Sequence, residues 1–272
     1  MKKLLTSVAL CAAAAFALTG CGDKAKGPAQ TASAETVITV GATPVPHADI
    51  LNFIVPEMKK QGVTLKILEF SDYVKPNMAL ADKEIDANFF QHKPYLDSFA
   101  KERGLKLSSL VSVHIEPMGV YSKKFKDIQS LPEGAKIAIP NDPTNGGRAL
   151  RVLADAGVFA LKDGVGVNGT PADIVNNVKN VKILEMEAAV LPRTLDDVDY
   201  AVINSNFAMS GGLNPTKDSL FTESKESPYA NIVAIRTGDD REELTKLKAV
   251  ITSPAVRDFI VQKYNGAVVP AF

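Results

Sequence analysis

A repeated alternation of strand and helix patterns is the feature that most restricts the fold of this 272-residue chain. Residues 37–40 form an apolar strand pattern, and apolar residues then recur at helical spacing over 51–58. Strand patterns follow at 65–70 and 85–90, with a helical pattern at 74–81 between them. Strands separated by single helices at short intervals predict βαβ units and a mostly parallel sheet, hence an α/β fold.

The same alternation restarts in the second half of the chain. Strand patterns at 136–139, 181–184 and 200–203 are separated by helical patterns at 146–156 and 191–197. The string Lys-Ile-Leu-Glu also occurs in both halves, each time before a proline-containing helix and a further strand. These features predict two similar α/β lobes that share a site between them.

The carboxyl ends of two strands are expected to meet at that site, one at Asn88–His92 and one at Asn204–Asn206. A last strand at 231–236 and two amphipathic helices finish the chain, and we expect the backbone to cross between lobes near 117–121 and 229–231. The predicted boundaries are 36–117 for the first part of lobe 1, 118–229 for lobe 2, and 230–272 for the return to lobe 1.

The amino terminus has the pattern of a lipoprotein leader. A cationic start precedes an apolar run over 4–18, which is shorter than the roughly 20 residues that span a bilayer. Leu18-Thr19-Gly20-Cys21 resembles the lipobox of bacterial lipoproteins, with cleavage before Cys21 and lipid on its sulfur. We therefore predict a signal peptide at 1–20 and, because 21–35 has no apolar period, a flexible tether after it.

The composition of the chain and the lack of several known motifs argue against some classes of protein. The chain has 31 Lys+Arg and 31 Asp+Glu with no basic cluster, so no nucleic-acid partner is expected. Both cysteines, Cys11 and Cys21, fall in the leader region, which leaves the folded body without a thiol. The three histidines, His47, His92 and His114, have no metal-ligand spacing, and no Gly-x-Ser-x-Gly elbow occurs. We expect no enzyme, metal or cofactor.

The glycines at 164–169 spell Gly-x-Gly-x-x-Gly, the pattern of dinucleotide-binding turns. They follow a helical pattern rather than a strand, and a capping-box pattern begins directly after them at Thr170. We therefore interpret this segment as a loop and not as a nucleotide site.

Two segments are candidates for a binding site. The stretch Asn88–Leu96 places aromatic rings and His92 at a strand-to-helix corner, where Pro94 suits the first helical turn. Phe89 and Phe90 must face opposite ways across the strand, and Tyr73 adds a further ring. The other segment, 141–148, follows a strand and begins a helix, with Asn145 as the expected cap.

Arg148 stands out in that second segment because a cation in the first turn of a helix is disfavoured by the helix dipole. A bidentate hydrogen bond to a carboxylate would explain its position. The alternative is an exposed arginine beside an ordinary turn. An aromatic corner facing Arg148 across a cleft would suit a ligand that has a carboxylate and an apolar or polarisable side chain.

The chain resembles the NlpA/MetQ family of substrate-binding lipoproteins that feed methionine ABC importers. The most family-like segments are Val-Gly-Ala-Thr-Pro at 40–44, Asp-Tyr-Val-Lys-Pro-Asn at 72–77, Phe-Gln-His-Lys-Pro-Tyr-Leu at 90–96, residues 141–150, and Glu-Ser-Pro-Tyr at 226–229. The resemblance implies a two-lobed type II periplasmic-binding-protein fold with L-methionine in a cleft between the lobes. It also implies an ABC permease with its ATPase as partner.

By position, the resemblance implies that Arg148 holds the ligand carboxylate and that Asn206 and Asn231 bond the amino-acid head. Tyr73, Phe90 and His92 would enclose the side chain. Alternatives are a related amino acid, D-methionine, a short methionine peptide, or an adhesin built on the same fold. The implied location is the bacterial cell envelope, lipid-anchored and facing the periplasm. Gly22 rather than aspartate follows Cys21, which leaves open whether the inner or outer membrane holds the anchor.

Overall fold

The structure is a computed structural model that describes residues 36–224 and 226–272. The predicted signal peptide, the lipidation site Cys21 and the tether lie outside the described residues. The first half of the body contains β1 (Thr36–Ala42), α1 (Asp49–Lys60), β2 (Val63–Glu69), α2 (Lys75–Ala81), β3 (Ala87–His92), α3 (Lys93–Arg103) and β4 (Leu107–Ile115). An irregular helical turn, Pro44–Ala48, leads from β1 into α1.

The remaining elements are shorter and include more turns. They are β5 (Gly119–Tyr121), β6 (Lys136–Pro140), α4 (Pro143–Asp155), β7 (Ala160–Leu161), β8 (Ile174–Val175), β9 (Lys182–Met186), β10 (Tyr200–Ile203), α5 (Ser205–Ser210), β11 (Phe221–Thr222), β12 (Ala230–Arg236), α6 (Glu242–Ile251), α7 (Pro254–Tyr264) and β13 (Val269–Pro270). Two 3₁₀ segments, Pro171–Asp173 and Ala188–Asp196, stand before β8 and β10.

These strands form two larger sheets, and three neighbouring parallel strands have the same order in each. One has the order β13-β4-β12-β3-β1-β2 and the other β11-β5-β10-β6-β9. The strands β2-β1-β3 are parallel in the first sheet, and β9-β6-β10 are parallel in the second. The predicted repetition of an α/β unit is therefore confirmed. The sheets are mixed rather than mostly parallel, because the strands beyond β3 and β10 join antiparallel.

The chain passes between these sheets twice. β4 belongs to the six-stranded sheet and β5 to the five-stranded sheet, so the first passage falls between Ile115 and Gly119. The return falls between Thr222 in β11 and Ala230 in β12. The lobe boundaries given above stay a prediction, and the two passages lie close to them.

Each sheet has its own apolar core. Ile38 and Val40 of β1 are fully buried in one cluster with Leu51 of α1, Leu247 of α6 and Val256 of α7. Since burying one such side chain contributes about 1.5–3 kcal/mol, helices on the sheet account for much of the stability of this half. The helices that the structure describes in 36–224 and 226–272 are all too short or too polar to span a bilayer.

The five-stranded sheet is covered by α4, the helix that carries Arg148. Ile137 and Ile139 of β6 pack in a second buried cluster with Leu150 and Leu153 of α4. The packing fixes the helix directly against the strands, so the residues of its first turns are held at the carboxyl end of β6.

Several features of the second half differ in position or type from what the local sequence patterns predict. The cap of α4 is Asp142, whose carboxylate accepts the Asn145 backbone N–H at 2.9 Å, so the helix begins before the predicted position and Arg148 lies in its second turn. The capping box at Thr170 closes only the three-residue turn Pro171–Asp173. The helix predicted at 191–197 is a 3₁₀ segment, which fits Pro192 inside it.

The glycine-rich segment 164–169 is a loop, as predicted, and it packs against α4. A Cβ on Gly147 of that helix would lie 2.7 Å from the backbone nitrogen of Gly169 and would also clash with the Val167 carbonyl. Backbone atoms cannot rotate away from such a contact. Gly147 is therefore required by the close approach of this loop to the helix that carries Arg148.

We expect Gly147→Ala to lower the free energy of unfolding by about 1–3 kcal/mol, because it forces loop and helix apart. The thermal midpoint should fall by about 2–4 °C per kcal/mol. Gly166→Ala in the same loop is the matched control, since a Cβ there meets no atom within 4 Å. Scanning calorimetry of both variants checks this, and equal midpoints would contradict the packing described.

Candidate functional site

A small cavity of about 20 Å³ lies between the two sheets, with room for about one water molecule. Its walls come from both halves of the body and are mostly polar, formed by Tyr73, Phe90, Gln91, His92, Tyr95, Glu116, Asn145, Arg148, Asn204, Ser205, Asn206 and Asn231. All six residues predicted to bind ligand are in this set, so the structure brings them together at one place. Their individual roles stay predictions.

The aromatic wall is built at the end of β3. Phe89 points into the main core, and Phe90 faces the other way with Tyr95 and Phe99, as the strand alternation predicts. The Phe90 ring lies 5.8 Å from Tyr73 and 6.0 Å from Tyr95 between centroids. The Tyr95 hydroxyl donates to the Tyr73 carbonyl at 2.9 Å, which fixes the loop that carries the Tyr73 ring.

His92 holds two elements together at the same corner. Its Nδ1 accepts the Tyr95 backbone N–H at 3.1 Å and so caps α3, and its Nε2 lies 3.1 Å from Asn145 Oδ1 on α4. Nε2 therefore carries the hydrogen. Burial, and then the nearby Arg148 charge, lower the pKa of His92 to about 3. A neutral ring with both nitrogens occupied has no free atom for catalysis, although the ring itself still borders the cavity.

Arg148 is 3% exposed, and one edge of its guanidinium is already paired. Nε donates to Glu223 Oε2 at 3.0 Å and Nη2 to Glu223 Oε1, while Nη2 also donates to the Glu116 carbonyl at 2.8 Å. The bidentate carboxylate partner is thus Glu223 of the same chain. Nη1 has no hydrogen-bond acceptor among the described residues, and this edge remains for a ligand anion.

Two asparagines that line the cavity, Asn204 directly after β10 and Asn206 in α5, have buried polar atoms without a hydrogen-bond partner among the described residues. The Asn206 Oδ1 accepts the Tyr73 hydroxyl at 2.5 Å, while its Nδ2 is buried and has no partner among the described residues. Asn204 donates from Nδ2 to Asn145 Oδ1 at 2.8 Å, and its buried Oδ1 likewise has no partner among the described residues. Unpaired buried polar groups cost about 1–3 kcal/mol each, so a polar ligand would relieve a real penalty.

Glu116 is the main site residue that sequence reasoning missed. No sequence motif indicates a role for it in binding, whereas it is 5% exposed and lines the cavity. Its Oε1 lies 2.7 Å from His114 Nε2 and 3.2 Å from His47 Nε2. Burial raises the pKa of Glu116, opposed by His47, by Arg148 and by the Asn206 backbone N–H. The available signal was His114-x-Glu116 at the end of a strand, which by itself has no specific meaning.

The cluster of His47, His114 and Glu116 also has the composition of a metal site, since its ligand atoms all lie within 4.8 Å of one another. A metal-binding histidine normally donates its other ring N–H to a carboxylate, carbonyl or water. The other nitrogen of His114, Nδ1, has no partner among the described residues. The hydrogen bonds from His114 to Glu116 and from His47 to Asn231 explain the cluster better, and the absence of a metal stays a prediction.

The buried histidines make stability depend on pH. Burial lowers the pKa values of His47, His92 and His114 to about 4, 3 and 3. Their unfolded pKa is about 6.5, so below that pH the unfolded state binds more protons and stability is lost as pH falls toward 4. Burial raises the pKa values of Glu116 and Asp142, which act in the opposite direction.

Each histidine that stays neutral in the folded protein costs up to about 1.4 kcal/mol of stability per pH unit below its unfolded pKa. We therefore expect the thermal midpoint to fall by about 2–4 °C per unit as pH is lowered from 6.5 to 4.5. Calorimetry across this range is the measurement. A midpoint that stays constant or rises toward pH 4.5 would show that these histidines are not neutral in the folded protein.

Two α/β units of the same strand order, with a buried polar cavity at the carboxyl ends of their parallel strands, define a two-lobed substrate-binding protein of the periplasmic type. The chain matches the family described as NlpA lipoprotein over residues 38–272, and it belongs to that family.

Individual relatives agree over almost the whole chain. A D-methionine-binding lipoprotein MetQ from Salmonella typhimurium is 43% identical over 257 residues, which is 93% of each chain. An outer membrane lipoprotein 2 from Mannheimia haemolytica is 42% identical over 274 residues and 98% of each chain. A solved nutrient binding protein from Burkholderia cenocepacia, bound to methionine, is 48% identical with a TM-score of 0.84, and the match covers 86% of this chain and 100% of that one.

Proposed function

We propose that this protein is a substrate-binding lipoprotein that captures L-methionine between its two lobes and delivers it to an ABC importer. The observation that carries the proposal is the placing of a cationic edge, a carboxylate and an aromatic wall around one small cavity. A free α-amino acid with an apolar side chain has the three matching parts.

The charged groups of the cavity suit a zwitterion. The free Nη1 edge of Arg148 and the unpaired Nδ2 of Asn206 are donors for the ligand carboxylate. Glu116 and the unpaired Oδ1 of Asn204 are acceptors for the ammonium group. Asn231 lines the same cavity and can add one further hydrogen bond to the amino-acid head. A buried charge costs several kcal/mol unless it is paired, so each group of the ligand needs such a partner.

The side chain would lie against Tyr73, Phe90 and the ring of His92. Contacts between a thioether sulfur and aromatic rings contribute about 0.3–1.5 kcal/mol, which favours methionine over an aliphatic side chain of similar size. These contacts would be made from both lobes, so ligand would bind the closed form best.

D-Methionine is the second candidate, because the Salmonella relative is named as a D-methionine-binding protein. The two isomers share all three recognition groups and differ only in how the side chain leaves the α-carbon. A methionine peptide, another amino acid and an adhesive role have no separate observation in their favour.

The proposed working context is a tethered receptor. Lipid on Cys21 would anchor the body to a membrane of the cell envelope through residues 21–35, and a permease with its ATPase would receive the closed form. Membership of a lipoprotein family supports the anchor. No catalytic step is proposed, since the groups in the cavity serve binding.

Mass spectrometry of the small molecule released when purified protein is denatured tests the identity of the ligand. We expect methionine in about equimolar amount, and chiral derivatisation then separates the L and D isomers. Release of a different amino acid as the only ligand would overturn the proposal for methionine.

A further inference from the structure

Two buried histidines stand directly behind the Glu116 carboxylate without lining the cavity themselves. His47 lies in the turn before α1 and is 1% exposed, and His114 lies in β4 and is fully buried. His114 Nε2 forms a hydrogen bond of 2.7 Å with Glu116 Oε1, whereas His47 Nε2 lies 3.2 Å from the same oxygen and has its hydrogen-bond partner in Asn231 Oδ1 at 3.1 Å. One oxygen of the carboxylate is therefore flanked by two imidazoles that come from different elements, and His114 is the donor to it.

The hydrogen-bond partners indicate which ring nitrogens carry hydrogen. His47 Nδ1 lies 2.7 Å from the Thr43 hydroxyl, which can donate to it, and its Nε2 also lies 3.1 Å from Asn231 Oδ1, an acceptor. His114 Nδ1 is buried without a partner among the described residues. A hydrogen there would be a buried unpaired donor, whereas a hydrogen on Nε2 is donated to Glu116. Both rings are thus Nε2–H tautomers.

The His114 donor does more than orient the carboxylate oxygen. A hydrogen bond to the charged form of a carboxyl favours ionisation, so it opposes the effect of burial, which raises the pKa of Glu116. The rings are themselves neutral near pH 7, because burial lowers the pKa of His47 to about 4 and that of His114 to about 3. They therefore stabilise the anion without cancelling its charge, and the full charge remains for a ligand cation.

We propose that His47 and His114 are positioning residues that keep Glu116 an ionised, fixed acceptor for the ammonium group of the ligand. The inference rests on the proposed capture of an amino acid, and it explains why the site would select a ligand that has a free amine. Without the two imidazoles, a buried carboxyl would take up a proton more readily and would lose its attraction for ammonium.

Other ionisable groups face Glu116 and enter its pH behaviour. Arg148 of α4 favours its ionised form, and Glu223 partly neutralises that arginine. The Tyr73 and Tyr264 hydroxyls also face it, from the loop before α2 and from α7, and burial raises the pKa values of both well out of the working range.

The sign of the pH effect follows from these groups. An ammonium ligand binds ionised Glu116 and lowers its pKa, so affinity is present above the pKa of the free protein and is lost as pH falls through it. Replacing His114 with leucine removes one donor and raises that pKa. The pH at which affinity is lost on acidification should then rise by about one unit. Between the old and the new value, the variant should bind the ligand about tenfold more weakly than the unchanged protein.

The first experiment observes the histidines in the unchanged full-length protein. Nitrogen-15 NMR of labelled histidine distinguishes the two neutral tautomers, the charged ring and metal coordination. We expect His47 and His114 as neutral Nε2–H rings from about pH 5 to pH 8, with and without L-methionine. A charged ring, the Nδ1–H tautomer or metal coordination at either residue would overturn the inference.

The second experiment measures affinity for L-methionine by calorimetry across the same range for the unchanged protein, His114→Leu and His114→Gln. Glutamine places an amide N–H near the position of Nε2, so it should restore the wild-type pH profile, while leucine should shift it. A profile for His114→Leu that matches the unchanged protein, or an equal shift in both variants, would overturn the positioning role. Failure of the unchanged protein to bind methionine would instead refute the proposed function.

Discussion

Replacing Arg148 with alanine is expected to weaken binding of L-methionine by at least about 30-fold. Truncating one partner of a buried charged pair costs about 2–5 kcal/mol, since the ligand carboxylate is then left without its cation. Arg148 is the only arginine or lysine among the described residues that line the cavity. Calorimetry with ligand-free protein measures the loss directly.

The same change also removes the partner of Glu223, whose side chain is 10% exposed. Arg148→Ala should therefore lower the thermal midpoint, and combining it with Glu223→Ala should recover part of that stability without recovering affinity. Arg151→Ala is the matched control, because Arg151 lies on the exposed face of the same helix. Wild-type affinity in a folded Arg148→Ala protein would show that the ligand carboxylate is held elsewhere.

Glu116→Gln is the second change with a large expected effect. The amide keeps the shape of the side chain but removes the charge that faces the ligand ammonium. A hydrogen bond to a charged group is worth about 1.5–3 kcal/mol, so affinity for L-methionine should fall by about 10- to 100-fold. Competition between methionine and 4-(methylthio)butanoate, which lacks the amine, reports the origin of that loss.

The unchanged protein should reject 4-(methylthio)butanoate. In Glu116→Gln, the ratio of the affinity for methionine to the affinity for this analogue should be much smaller. Glu133→Gln, at an exposed position of the five-stranded half, controls for the loss of one negative charge. If Glu116→Gln retained the full preference, the ammonium group would not be recognised by Glu116.

The regular elements were predictable because their signal is local. The strand at 200–203 and the helix at 75–81 follow from apolar periodicity within a few residues, and Pro94 marked the start of α3. β4 was missed because Ser108, Ser109 and Ser112 interrupt its apolar pattern. Its position between β12 and β13 is decided by partners that are distant in the sequence.

The site residues also divide into those that a local sequence pattern indicates and those that depend on contacts distant in the sequence. The strand-to-helix corner with Phe90 and His92, and the candidates Tyr73 and Arg148, could be located from the sequence itself. The resemblance to a family supplied Asn206, Asn231 and the individual roles. The Glu223 partner of Arg148 lies 75 residues away, and His47 reaches Asn231 across 184 residues. Such contacts depend on how the two sheets come together, which no local pattern encodes. Glu116 consequently cannot be recognised as a site residue from the sequence alone.

Titration calorimetry with L-methionine, on protein stripped of ligand by unfolding and refolding, tests the central claim most directly. Refolding must first be confirmed by the thermal midpoint. We predict exothermic binding of one methionine per chain, with no heat from 4-(methylthio)butanoate under the same conditions. The absence of any heat with L-methionine in refolded protein would contradict the account.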